Sequence, residues 1–192
     1  MKPGKIVLLA TAVIVAGIGS YMLYWEKVQH RFTVVTEHQL YQSAQMRPDE
    51  LLELARDKGI RTVVDLRLTE DSREDIAAQA AALAGTDVEN IHLPVEHVPD
   101  EASVMRFLEI VGDPSKRPVL VHCQHGTGRS VLFSSLFRLE FENWDNETAR
   151  RAVEPLHWRG NFAPDAPKGA YLLEYQPREM KLVITGMARA AK

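Results

Sequence analysis

The sequence predicts an α/β fold with a largely parallel central sheet flanked by helices, preceded by one transmembrane helix. Three observations carry this. Short apolar, β-branched runs alternate with stretches of ten or more residues at helical spacing, the pattern of parallel strands joined by helical crossovers. One such run, Pro118-Val119-Leu120-Val121-His122, passes straight into a loop holding Gly126 and Gly128, and then into a strongly apolar stretch of helix length. Finally, residues 6–25 are twenty consecutive uncharged residues.

That N-terminal run would span roughly 30 Å as a helix, the thickness of a bilayer's hydrocarbon core. Lys2 and Lys5 precede it, and Tyr21, Tyr24 and Trp25 stand at its far end, where aromatic rings favour the membrane interface. The competing reading is a cleaved secretory signal, with Gly17 and Gly19 near the cleavage point, although the apolar region is long for one. Residues 1–31 are therefore expected to be an anchor or signal segment, and residues 32–192 one domain. Positive charge flanks both ends of the run; if the N-terminal lysines stay inside, the domain faces the exterior or periplasm.

Residues 32–35 read as an edge strand, and residues 40–44 follow without an assigned element. Pro48 opens a helix with Leu51, Leu52, Leu54 and Ala55 at helical spacing, closed by Gly59. Residues 62–66 read as a buried strand, residues 71–84 as an alanine-rich helix, and residues 90–95 as a second buried strand. A helix runs to Val111 from Asp100, which is placed to cap it. Residues 118–122 form the third buried strand, residues 130–141 a helix, and residues 148–153 a further helix. Residues 157–168, with Gly160, Pro164 and Pro167, read as a loop.

Composition narrows the function. The formal charge is -3, with 45% hydrophobic residues and no long Lys/Arg run, so nothing points to nucleic acid. The single cysteine, Cys123, excludes an intramolecular disulfide and any multi-cysteine metal site. A lone cysteine is ordinarily a small buried hydrophobe. Its neighbours argue otherwise.

Gly126 and Gly128 let the backbone turn with its N–H groups inward, and such a nest at a helix N-terminus binds an anion. Arg129 adds a planar fork that can hold two phosphate oxygens. The same positive surroundings favour a thiolate. Nucleophile and phosphate are gathered by one device.

The segment His122-Cys123-Gln124-His125-Gly126-Thr127-Gly128-Arg129-Ser130 matches His-Cys-x2-Gly-x2-Arg-Ser/Thr, and the chain thereby resembles the cysteine-dependent protein tyrosine and dual-specificity phosphatases. LYQSAQM, GIRTVVDLR and NIHLPVEHVPD extend the likeness to the small bacterial and atypical members, over residues 40–142. The resemblance implies the three-layer fold of that family and a phosphocysteine intermediate on Cys123. It implies that Arg129 and the amides of Gln124, His125, Gly126, Thr127 and Gly128 bind phosphate, that His122 helps keep Cys123 ionised, and that Ser130 donates a hydrogen bond to the sulfur. Asp65 would tie Arg67 or nearby backbone in place, and Trp144 and Trp158 read as packing residues.

The expected general acid is Asp100, with Glu96 as the alternative and His97 behind it, although Asp100 also stands where a helix cap would. The loop holds no lysine, so its charge is expected to come mainly from Arg129, which argues against highly phosphorylated inositols. The expected activity is hydrolysis of phosphate monoesters on phosphotyrosine or phosphoserine/threonine proteins or on a phospholipid, without cofactor or metal. The expected address is a single-pass protein, in a bacterial inner membrane. Two other classes remain: a phosphate-binding pseudophosphatase or membrane-tethered adaptor, and a sulfur-transfer domain, which the six-residue step from Cys123 to Arg129 fits less well.

Overall fold

The apolar run forms helix α1, Pro3–Lys27, whose stretch Gly4–Trp25 is long and apolar enough to cross a membrane and is not buried against the rest of the chain. The computed structural model describes residues 3–153 and 160–178. Beyond α1 come β1 (Thr33–Thr36), β2 (Leu40–Ala44), α2 (Pro48–Lys58), β3 (Thr62–Asp65), α3 (Thr69–Leu83) and β4 (Glu89–His92). Then follow α4 (Glu101–Gly112), a 3-10 turn (Pro114–Lys116), β5 (Val119–Cys123), α5 (Arg129–Phe141), α6 (Asn146–Val153) and α7 (Pro167–Glu174).

The five strands form one sheet in the order β1-β2-β5-β3-β4. Only β1 is antiparallel to its neighbour; β2, β3, β4 and β5 all run the same way. Successive strand residues face opposite sides, so each strand feeds two cores. Tyr41, Val63 and Leu120 join Leu51, Ala55 and Leu83 of α2 and α3 on one face. Leu40, Val64, Val119 and Val121 join Phe107 and Leu108 of α4 and Leu132, Phe133 and Leu136 of α5 on the other. Helices on both faces of the sheet give the three layers the sequence predicted.

Helix α5 is buried from Arg129 to Phe137, and Phe133 meets Phe107 edge-on at 4.9 Å between ring centres. It is therefore the inner helix, enclosed nearly all round. The central strand β5, between β2 and β3, delivers the loop that precedes it. In open α/β sheets, ligands bind beyond the carboxyl ends of such strands.

Three elements differ from the sequence reading. β2 is a full strand, although Gln42 and Ser43 interrupt its apolar character; both are buried. Residues 161–166 do form turns, but helix α7 begins at Pro167, where the predicted loop was to run on to 168, and fills a stretch given no element. The strand read at 90–95 stops at His92, two residues before Pro94, which has no N–H to offer a ladder. Trp158 lies outside the described residues, whereas Trp144 does pack, with the Arg138 guanidinium 4.4 Å above its ring.

Candidate active site

Cys123 is the last residue of β5 and is 3% exposed. Sheet register sets Ala44 of β2 beside it, and Asp65 of β3 beside His122. The loop then turns through Gln124 to Gly128 and enters α5 at Arg129.

The loop's carbonyls are held outward. Gln45 N–H donates to Gln124 O (3.3 Å), Arg31 Nη1 donates to His125 O (2.7 Å) and Gln42 Nε2 donates to Gly126 O (3.1 Å). In a planar trans peptide the N–H points opposite to its carbonyl. The amides of His125, Gly126 and Thr127 therefore face inward, as an anion nest requires. Gly126 has φ 64, and a Cβ there would lie 2.6 Å from Ala44 N, so both conformation and close approach demand glycine.

Arg129 occupies the first turn of α5, 8% exposed. Its Nη1 donates to Leu66 O (2.9 Å) and Val95 O (3.3 Å), the chain segments that follow β3 and β4. The fork is thus fixed by two strand ends before any ligand arrives, which spares its rotamer entropy on binding.

Ser130 Oγ lies 3.3 Å from Cys123 Sγ, and Gln42 Nε2 lies 3.4 Å from the same oxygen. Because the Gln42 amide can only donate, it takes a lone pair of Ser130 and leaves the hydroxyl hydrogen to point at sulfur. Gln42 was not read from the sequence as a site residue. Its signal was faint: a polar residue within the LYQSAQM segment that carried the family likeness.

Asp65 binds Arg67 as expected, through Nε and Nη2 at 2.9 and 2.7 Å, with Gln45 and Gln79 completing a buried network. Burial opposes ionisation of Asp65, but the Arg67 hydrogen bonds together with nearby positive charge hold the carboxyl below the usual range. His122 is different. Its Nε2 is 3.8 Å from Asp65 Oδ1, beyond hydrogen-bond reach. Burial pushes its pKa from 6.5 down to about 4, against the pull of Asp65. The imidazole is therefore neutral near pH 7, and any help it gives Cys123 is not that of a full positive charge.

This has a consequence for stability. The unfolded chain accepts a proton on His122 that the folded protein refuses, so its contribution is complete above pH 6.5 and is lost as pH falls toward 4. The full loss is roughly 3 kcal/mol. Urea unfolding at pH 7 and pH 4 should show the parent losing that much more than His122→Gln; equal losses would contradict a buried neutral ring.

Asp100 caps α4, accepting from Ser103 N at 2.7 Å, and that bond keeps its carboxyl below the usual range. It is held as a carboxylate, poorly suited to give up a proton. Glu96 and His97 are exposed and follow Val95, whose carbonyl holds Arg129. His125 is exposed and Thr127 half-buried at the mouth.

One charge was missed. Lys168 of α7 lies against Gly128: a Cβ on that glycine would sit 3.4 Å from Lys168 Cε and 3.7 Å from Nζ. The expectation that Arg129 alone supplies most of the loop's charge is corrected by a cation arriving from a distant helix.

The family described as "DSP-PTPase phosphatase fused to NAD+ Kinase" matches residues 20–160. Probable NAD kinase 2, chloroplastic, of rice is 40% identical over 94 residues, 47% of this chain and 10% of that protein. Dual specificity protein phosphatase TpbA of Pseudomonas aeruginosa is 31% identical over 67 residues, 34% of this chain and 29% of that protein. The chain thus spans under a third of the length of these curated relatives. Crystalline TpbA superposes with TM-score 0.56 at 25% identity, covering 77% of this chain and 86% of that one. The catalytic core of the yeast phosphatase SIW14 shares the fold, with TM-score 0.62 at 17% identity over 82% and 92% of the two chains.

Proposed function

As the chain belongs to the DSP-PTPase phosphatase family, we propose that it hydrolyses phosphate monoesters, phosphotyrosine foremost, through a phosphocysteine intermediate on Cys123. The carrying observation is the convergence at one point of Cys123, the inward amides, the doubly anchored Arg129 and the Ser130 hydroxyl. Cys123 attacks phosphorus in line with the leaving oxygen while the amides and Arg129 hold the equatorial oxygens as charge shifts onto them. The leaving oxygen takes a proton, and the phosphoryl group rests on sulfur. Water then attacks that phosphorus, and Ser130 donates to the departing thiolate, which eases its release.

Glu96 is the proposed proton donor, because it follows the carbonyl that anchors Arg129 and its carboxyl caps no helix. Asp100 is the alternative and would have to leave its cap first.

Phosphotyrosine is favoured on two grounds. Cys123 is only 3% exposed, so an ester must reach down to it, and an aryl phosphate is long enough to do so. A Cys-to-Ser variant of TpbA was crystallised with phosphotyrosine. The test is phosphate release from a phosphotyrosine peptide with competition by vanadate; binding of phosphate without any release would leave a phosphate-binding adaptor instead.

Helix α1 is proposed to hold the domain at a membrane, on the strength of its length, its apolar face all round and its aromatic far end. The full chain should stay with membranes through a high-salt wash and come away only in detergent. Release by salt alone would contradict this.

A further inference from the structure

Lys168 is the second residue of α7 and is 7% exposed. No hydrogen bond or ion pair reaches its ammonium among the described residues. Its stem is buried and its ammonium lies at the phosphate loop, with Arg129 and Cys123 as charged neighbours. What surrounds it is the phosphate loop. Its Cε and Nζ press on the open face of Gly128, the residue before Arg129. A Cβ on Gly128 would meet Lys168 Cε and Nζ at ordinary contact distance, which places the ammonium beside the phosphate loop.

The position of Lys168 is built rather than incidental. Gly169 lets α7 close on the preceding loop: a Cβ there would sit 1.9 Å from Ala163 O. At the other end Asn146 Nδ2 donates to Leu172 O (2.7 Å) and Tyr175 O (2.6 Å). Tyr175 in turn donates to Glu140 of α5 at 2.6 Å. The helix is thus pinned at both ends to the elements that frame the site. Burial and the nearby Arg129 hold the Lys168 ammonium below the ordinary lysine range, while Cys123 pulls the other way, so it lies within electrostatic reach of both.

We propose that Lys168 is the second cation of the phosphate site, binding an oxygen of the substrate's phosphoryl dianion beside Arg129 and tuning the site to dianionic phosphate monoesters. This rests on the phosphatase reading for its substrate, but its binding claim is tested without turnover. The loop's own sequence lacks a second charge, and α7 supplies it from forty residues downstream of the loop, by Lys168 against Gly128.

The experiment uses the full chain and inorganic phosphate as probe. Phosphate is titrated against alkylation of Cys123 by iodoacetamide, and half-protection is read for the parent, Lys168→Met and Lys168→Arg. Lys168→Met keeps the methylene packing and should need about tenfold more phosphate; Lys168→Arg should stay within about threefold of the parent. In phosphate-free buffer Lys168→Met should melt no lower than the parent, since it keeps the packed stem and relieves the desolvation and the Arg129 repulsion that the ammonium bears. Unchanged half-protection in Lys168→Met overturns the proposal, and so does a lower melting point with unchanged protection, which would assign the side chain to packing. Lys168→Gln is read the same way should methionine prevent folding. A parent that binds phosphate through Lys168 yet hydrolyses no ester would sink the phosphatase reading and leave this one standing; an active parent with indifferent Lys168→Met would do the reverse.

Discussion

Cys123→Ser lowers turnover of a phosphotyrosine peptide by at least about 10⁴-fold while leaving phosphate binding within about threefold of the parent. The two halves of this result have different causes. Serine's hydroxyl is a far weaker nucleophile than a thiolate under the same conditions, so the covalent step fails. The cradle, however, is made of other atoms: the inward amides of His125, Gly126 and Thr127, and the Arg129 fork held on Leu66 and Val95. None of these depends on sulfur. Steady-state phosphate release and isothermal titration with phosphate measure the halves separately. A variant that lost binding together with turnover would mean that Cys123 holds the loop's shape rather than attacking phosphorus.

The second large effect separates two acids. Glu96→Gln should lower kcat on phosphotyrosine by about 10²-fold, the usual scale for removing a positioned general acid. On an aryl ester with a much better leaving group, which departs without help, the same variant should lose less than about tenfold. Asp100→Asn should change both rates by less than about threefold. Asparagine caps a helix as well as aspartate does, so this substitution removes the proton and keeps the Ser103 contact. The reverse ranking would place the donor at Asp100 and require the α4 cap to open during the reaction.

What the sequence made legible was local. The strand, loop and helix around Cys123 and Arg129 follow from residue type and spacing, because a nest needs its glycines and its helix start in one short segment. The Asp100 cap and the Asp65–Arg67 tie were legible for the same reason. What escaped was tertiary. Gln42 reaches Gly126 and Ser130 across 84 and 88 residues, and nothing in a five-residue strand announces that. Its polar side chain even weakened the case for β2 as a strand. Lys168 belongs to a segment whose prolines read as loop, yet Pro167 opens α7 rather than breaking it. That His122 is a neutral ring was not legible either, because it follows from complete burial rather than from its place beside Cys123.

The account stands most directly on the covalent intermediate. Rapid acid quench during the first turnover, followed by mass spectrometry of the peptide carrying Cys123, should find the phosphoryl group on its sulfur, and should find none in Cys123→Ser. Phosphate release at the parent rate with no phosphorylated Cys123 at any quench time would contradict it.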